Sequence, residues 1–380
     1  MTVDRLLPSD EAGELIQLTR TIADKVLAPI VDEHESMETY PEGVFATLGA
    51  AGLLSLPFPA SWGGGELPYA VYLQVLEEIA SRWAAVAVAV SVHSLACNPM
   101  VVFGTDDQRR QWLPSMLGGS TVGAYSLSEA GAGSDPAALT CRAARTAGGY
   151  RVNGAKAWIT HGGIADFYTL FARTGDGPRG VSCFHIPAGI EGLSFGSPEE
   201  KMGLHAVPTT TAHYDDVFVP EEWRVGAEGQ GLPIAFGALD AGRLGIAAVA
   251  VGLAQAALDE AVRYASERET FGRRVIDHQG LGFMLADMSA AVVSARATYL
   301  DAARRRDEGR PYSAQASVAK LVATDAAMKV TTDAVQVFGG AGYTRDYRVE
   351  RYMREAKITQ IFEGTNQIQR LVIARNLART

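Results

Sequence analysis

The segment 281–302, LGFMLADMSAAVVSARATYLDA, decides the fold class. Leu281, Leu285, Met288, Val292, Ala295, Tyr299 and Ala302 recur at alternating intervals of four and three, which lines one face of a helix and makes the seam of a helical bundle. Helical periodicity of this kind extends from Gly229 to the end of the chain, so 229–380 reads as a C-terminal bundle domain. Before it the pattern changes. Between 121 and 228, short β-rich segments at 167–171, 181–186 and 216–219 are separated by Gly, Pro and Asp turns, and 147–149 reads as a hairpin loop. Further back, Leu15, Leu18, Ile22, Val26 and Ile30 repeat at helical spacing over 15–31, and helix-like runs follow at 42–53, 70–82, 83–105 and 106–117. The expected class is α+β, mainly α: an all-α domain at 1–120, a β-domain at 121–228 and the bundle. Strand and helix do not alternate as a parallel βαβ sheet requires.

A chain of 380 residues can bury a large core. Its net charge of −9 offers no electrostatic footprint for nucleic acid, which needs clustered Lys and Arg. Cys97, Cys141 and Cys183 are odd in number and lack Cys-x-x-Cys spacing, and no secretory signal precedes them. A reducing cytoplasm fits, and no metal site is expected, since the histidines are scattered. The stretch 83–105 lacks Asp, Glu, Lys and Arg and is long enough to span a membrane. Ser91, His93, Ser94, Asn98 and Pro99 interrupt it, so a helix buried inside a core is expected rather than a membrane span.

Five motifs carry possible chemistry. In Ser128-Glu129-Ala130-Gly131-Ala132-Gly133-Ser134-Asp135 a dinucleotide fingerprint fails, because Pro136 takes the third glycine position. What remains is a loop whose glycines let backbone N–H groups approach a ligand. Trp158 and Thr160 lie two apart, so on a strand both face one way, a ring plane beside a hydroxyl. Arg268-Glu269-Thr270-Phe271-Gly272 follows one long helix, with Gln279 opening the next. Gln336-Val337-Phe338-Gly339-Gly340 reads as a helix end and turn. In Ile361-Phe362-Glu363-Gly364-Thr365-Asn366-Gln367 a carboxylate sits between an aromatic residue and a glycine. Apolar neighbours raise a carboxyl pKa, which suits a base; equally, Glu363 could merely favour the N-terminus of the last helix.

Taken together, in this order and at these separations, the five motifs resemble the acyl-CoA dehydrogenase family over essentially the whole chain. The resemblance implies an N-terminal helical domain, a β-barrel or sandwich middle domain and a C-terminal four-helix bundle, assembled as a homotetramer with one FAD per subunit. Tyr125, Leu127, Ser128, Gly133 and Ser134 would lie along the flavin, and Trp158, Ile159 and Thr160 against its ring. Arg268, Phe271 and Gln279, with Gln336, Val337, Gly339 and Gly340, would form the part of the FAD site shared with a neighbouring subunit. Thr365 and Gln367 match further FAD contacts, while Ser134, Asp240, Arg243 and Gly364 match positions near the CoA thioester.

Glu363 falls on the family's base position; the place that supplies the base in a minority of members falls on Gly242. The resemblance thus implies dehydrogenation of an acyl-CoA to a trans-2-enoyl-CoA, with Glu363 removing the α-proton and hydride passing to the flavin. An electron-transfer flavoprotein would take the electrons. Short, medium or branched acyl groups are expected, since no further region follows the Glu363 segment. The alternatives are an acyl-CoA oxidase, reoxidised by oxygen, and a flavin-binding protein without catalysis. His205 and Val207 depart from the family pattern, which has Arg and Ser there.

Overall fold

The computed structural model describes residues 3–378. Its N-terminal part holds α1 (Asp10–Ile22), α2 (Val31–Met37), α3 (Val44–Ala50), α4 (Tyr69–Ala80), α5 (Ala84–Phe103) and α6 (Asp106–Leu117). The single helix expected over 15–31 is interrupted by a π-turn at Ala23–Leu27. Pro29 explains the break, since it lacks an N–H and its ring crowds the carbonyl one turn earlier. The run expected at 42–53 stops at Ala50, shortly before Gly52 turns to φ +72°. At α6 the Thr105 hydroxyl accepts from the Gln108 N–H while the Gln108 side chain accepts from the Thr105 N–H, a reciprocal cap that sets the start of the helix.

The middle part is an eight-stranded sheet, built from β1 (Gly123–Ser126), β2 (Arg142–Thr146), β3 (Gly149–Thr160), β4 (Phe167–Arg173), β5 (Val181–Pro187), β6 (Leu193–Phe195), β7 (Thr209–Pro220) and β8 (Arg224–Val225). Strand order is β6-β7-β3-β2-β4-β5-β8, with β1 laid on β4. The β2–β3 hairpin pairs Thr146 with Gly149 and turns at Gly148, φ +78°, as the Gly-Gly sequence requires. Most ladders are antiparallel, yet β1 runs parallel to β4, from Gly123 opposite Phe167 to Ser126 opposite Leu170. That crossover passes through a hairpin rather than a helix, which is why no βαβ pattern announced it.

The C-terminal part contains α7 (Gly231–Glu267), a two-stranded ribbon of β9 (Glu269–Thr270) and β10 (Arg273–Arg274), α8 (Gln279–Asp307), α9 (Ser313–Phe338), α10 (Val349–Thr359) and α11 (Asn366–Leu377). The seam residues of 281–302 do face inward: Leu285, Met288, Val292, Ala295, Tyr299 and Ala302 are all buried. One core joins the N-terminal helices to this bundle, and a separate one fills the sheet. Both α5 and α7 are apolar and long enough to cross a membrane, but 83% and 78% of their apolar windows are buried inside the protein, so their apolar faces are already covered.

Helix α4 crosses α7 closely because Gly252 leaves room. A Cβ there would stand 2.4 Å from the Glu77 carbonyl oxygen and 2.8 Å from the Ala80 Cβ. Replacement Gly252→Ala is expected to force the helices apart at a cost of about 1–3 kcal/mol. A urea or thermal unfolding midpoint equal to the wild-type value would contradict that close approach.

Candidate active site

Glu363 lies in the turn between α10 and α11, and two features set it apart from a helix-capping carboxylate. The cap of α11 is Thr365, whose hydroxyl accepts from the Ile368 N–H at 3.3 Å. Glu363 itself has φ +54° and is followed by Gly364 at φ +87°. A left-handed non-glycine residue costs on the order of 1–2 kcal/mol, so the surroundings must hold it. They do. Gln369 Nε2 donates to the Glu363 and Gly364 carbonyls at 3.2 and 2.8 Å, and Lys320 Nζ donates to the Gly364 carbonyl at 2.9 Å.

The carboxylate points towards α7. Its Oε2 would lie 2.9 Å from a Cβ built on Gly242, and this buried oxygen has no hydrogen-bond partner. Burial pushes the Glu363 carboxyl up to about 7, against the opposing charges of Arg243 and Lys320. Arg243 is buried, pairs with Asp240 at 2.5 Å, and leaves its Nε unpartnered too. Buried polar atoms are rarely left unpaired, so two of them flanking one glycine mark a place where a ligand completes the hydrogen bonding. Behind Gly242 a pocket of about 10 Å³ is lined by Phe58, Tyr69, Ser91, Ser94, Leu95 and Arg306, among others.

A second group of residues faces out from the sheet. The loop after β1 is tied to β3 by the Ala157 N–H donating to the Ser128 carbonyl at 2.9 Å. Beneath it Lys156, fully buried, donates to the Leu127 carbonyl and to Glu129 Oε1 at 2.9 and 2.8 Å. Burial alone would raise the Glu129 carboxyl, but Lys156 and the Thr140 and Cys141 amides hold it below its ordinary range. A Cβ on Gly131 or Gly133 would meet nothing, leaving their backbone open on one side. Trp158 is 60% exposed, at φ +63° where the β3–β7 register slips, and Thr160 is half-buried beside it. Leu127 and Ile159 bury their side chains, so only their backbone atoms can meet a ligand.

A third group gathers at one end of the bundle. Tyr264, a turn before Arg268, stacks on Phe338 at 4.1 Å, which brings the ends of α7 and α9 together. Arg268, Gln279, Gln336, Gly339 and Gly340 are exposed there, Val337 is buried, and Phe271 is 96% exposed at φ +51°. Among the described residues no hydrogen bond or ring contact links this group to the Ser128–Trp158 group.

Family models for the acyl-CoA dehydrogenase N-terminal, middle and C-terminal domains match residues 9–120, 124–217 and 229–378. The chain is 41% identical, over 96% of its length and 97% of the other's, to the short-chain specific acyl-CoA dehydrogenase of Clostridium acetobutylicum. The solved butyryl-CoA dehydrogenase from Megasphaera elsdenii superposes with a TM-score of 0.97 at 39% identity, covering 99% of this chain and 100% of that one. A chain from a structure described as the electron transferring flavoprotein of Acidaminococcus fermentans has a TM-score of 0.97, 41% identity and full coverage of both chains. The chain belongs to the acyl-CoA dehydrogenase family. It is therefore a flavoprotein oxidoreductase acting on the CH–CH bond of an acyl-CoA.

Within this acyl-CoA dehydrogenase, Glu363, Asp240, Arg243 and Gly364 converge with Gly242. Thr365 belongs to the same turn, and Gln367 is exposed on the first turn of α11. Ser134 is exposed on the β1–β2 connection. At the departure from the family pattern, the His205 ring nitrogens face the Glu35 and Lys201 carbonyls at 3.0 and 2.7 Å, and Val207 is buried. Sequence reading missed Lys320, Gln369, Lys156 and Glu129. Lys320 carried a signal, a lysine in the buried stripe Ala316, Ala319, Ala323 and Ala327 of α9. Removing one member of a buried ion pair strands the other charge, which costs about 3–5 kcal/mol. Lys156→Met is accordingly expected to lower the unfolding midpoint and expose the 127–141 loop to proteolysis; an unchanged cleavage pattern would rule out the pair as its anchor.

Proposed function

We propose that this acyl-CoA dehydrogenase converts a short acyl-CoA to its trans-2-enoyl-CoA, with Glu363 taking the α-proton. The observation that carries this reading is the buried, unpartnered Glu363 Oε2 opposite Gly242. A base for a carbon acid gains from a raised pKa and from having no competing hydrogen bond, and Glu363 has both. The Glu363 backbone N–H also finds no acceptor within the described chain, so it is free to donate to the thioester oxygen as enolate charge develops. Arg243 Nε offers a further donor nearby.

The residues present fit FAD. The exposed Trp158 face and the adjacent Thr160 suit a planar ring with polar edges, and the open glycines of the Ser128–Ser134 loop suit a close-lying diphosphate. When bound, FAD supplies the acceptor for the β-hydrogen and its electron pair. The exposure of both Phe271 and Trp158 supports a site completed by the Arg268–Gln279 and Gln336–Gly340 groups of a neighbouring subunit in a homotetramer. An electron-transfer flavoprotein is the acceptor we propose, and the cytoplasm the compartment, consistent with three free, buried cysteines. The short-chain specific relatives favour a short acyl group.

Three measurements test this. Glu363→Gln should retain FAD but lose anaerobic flavin bleaching by butyryl-CoA; bleaching at the wild-type rate would move the base elsewhere. In the wild type the bleaching rate should rise with pH through about 7, because the ionised carboxylate is the reactive form and burial has raised its pKa. Across chain lengths, octanoyl-CoA should react about tenfold or more slowly than butyryl-CoA in kcat/KM. Equal values would mean that the pocket does not limit length.

A further inference from the structure

Resting on that reading of Glu363, we propose that Lys320 is the positioning residue of the catalytic turn, holding the strained Glu363–Gly364 backbone in place and supplying the positive charge that keeps the Glu363 carboxylate available as a base. Lys320 lies about two turns into α9 and is fully buried. A buried ammonium is costly unless each donor finds an acceptor. Its Nζ donates to the Gly364 carbonyl at 2.9 Å and to Asn366 Oδ1 at 2.8 Å, one partner on each side of the Thr365 cap. Asn366 in turn donates to Thr324 Oγ1 and Asp325 Oδ1 at 2.9 and 2.7 Å, so α9 grips the turn through a chain of side chains. With Gln369 donating to the Glu363 and Gly364 carbonyls, this grip offsets the left-handed geometry of Glu363.

The electrostatics run in the same direction. Burial draws the Lys320 ammonium down to about 7, while Glu363 and Asp325 oppose that shift and Arg243 adds to it. Burial raises Glu363, and Arg243 and Lys320 oppose it. Each group therefore opposes the shift that burial imposes on the other. The other ionisable groups around Glu363 are Arg243 from α7, with its partner Asp240, Tyr69 from α4 and Tyr125 from β1. Tyr69 is buried and Tyr125 half-buried, and both are lifted well above their ordinary range, first by burial, so they stay neutral. Lys320 is the cation that also hydrogen-bonds the turn carrying the base.

The test uses the FAD-loaded enzyme and follows anaerobic flavin reduction by butyryl-CoA against pH. Lys320→Met removes charge and donor; Lys320→Gln keeps a donor and removes the charge. Both should raise the apparent pKa of the reduction rate by about one unit, the shift typical of losing an adjacent opposite charge. The Met variant should in addition lower the limiting rate at high pH about tenfold or more, through misplacement of the base, and Lys320→Arg should return the pKa towards the wild-type value. A purely structural lysine would lower stability or FAD content without moving the pKa. If Lys320→Met does not fold with FAD, the Gln variant decides. Wild-type enzyme reduced normally, with an unshifted profile in the folded variants, overturns this proposal alone. Wild-type enzyme that no acyl-CoA reduces overturns the Glu363 reading and this one with it.

Discussion

Helix α7 must touch both helical parts of the molecule and the sheet, and a surface rich in alanine and glycine allows that. It packs against α4, α5, α8, α9 and α10 and meets β5. Alanine and glycine dominate the buried run from Ala238 to Ala261, so neighbouring backbones approach closely and dispersion contacts accumulate along the whole helix. Gly252 admits α4 and Gly245 admits the Ser91 hydroxyl, whereas Gly242 leaves space that the Glu363 carboxylate faces. The stretch of α7 that faces Glu363 is thus a local exception within a packing rule. Where the other glycines are filled by protein, this one borders a pocket.

Burying charge is the second constraint. Glu77, almost inaccessible, is held below its ordinary range because Arg5 and Arg296 outweigh the burial that would raise it, and the Tyr299 hydroxyl donates to it as well. This cluster fastens the N-terminal segment and α4 to α8. Glu129 and Lys156 do the same beneath the β1–β2 connection. Glu363 differs from both, since Arg243 and Lys320 act on it without a direct hydrogen bond to Oε2. Saturated pairs stabilise the framework, and the unsaturated one retains capacity for a proton.

Composition, helical period and turn residues determined much of the architecture, because each depends on neighbours close in sequence. The 281–302 seam, the α6 boundaries, the 147–149 hairpin and the buried character of 83–105 were all legible in this way. The break at 23–27 was signalled by Pro29 yet not read, whereas the Lys156–Ile159 register slip was not legible, since a bulge depends on how the flanking strands are held. The parallel β1–β4 pair was equally hidden, its partners lying on either side of a hairpin.

The motifs by themselves determined which residue types carry chemistry, and their joint order pointed to the family. Only the tertiary structure decided how they divide: Glu363, Gly242 and Arg243 together, Ser128 beside Trp158, and Arg268 with Gln336 at the far end of the bundle. It alone brought in Lys320 and Gln369, whose relation to Glu363 exists only once α9 and α11 pack. The reason is physical. A carboxylate between phenylalanine and glycine has the same local sequence whether it caps a helix or waits for a proton, and what separates the two is burial, a backbone angle and the charges delivered by distant helices.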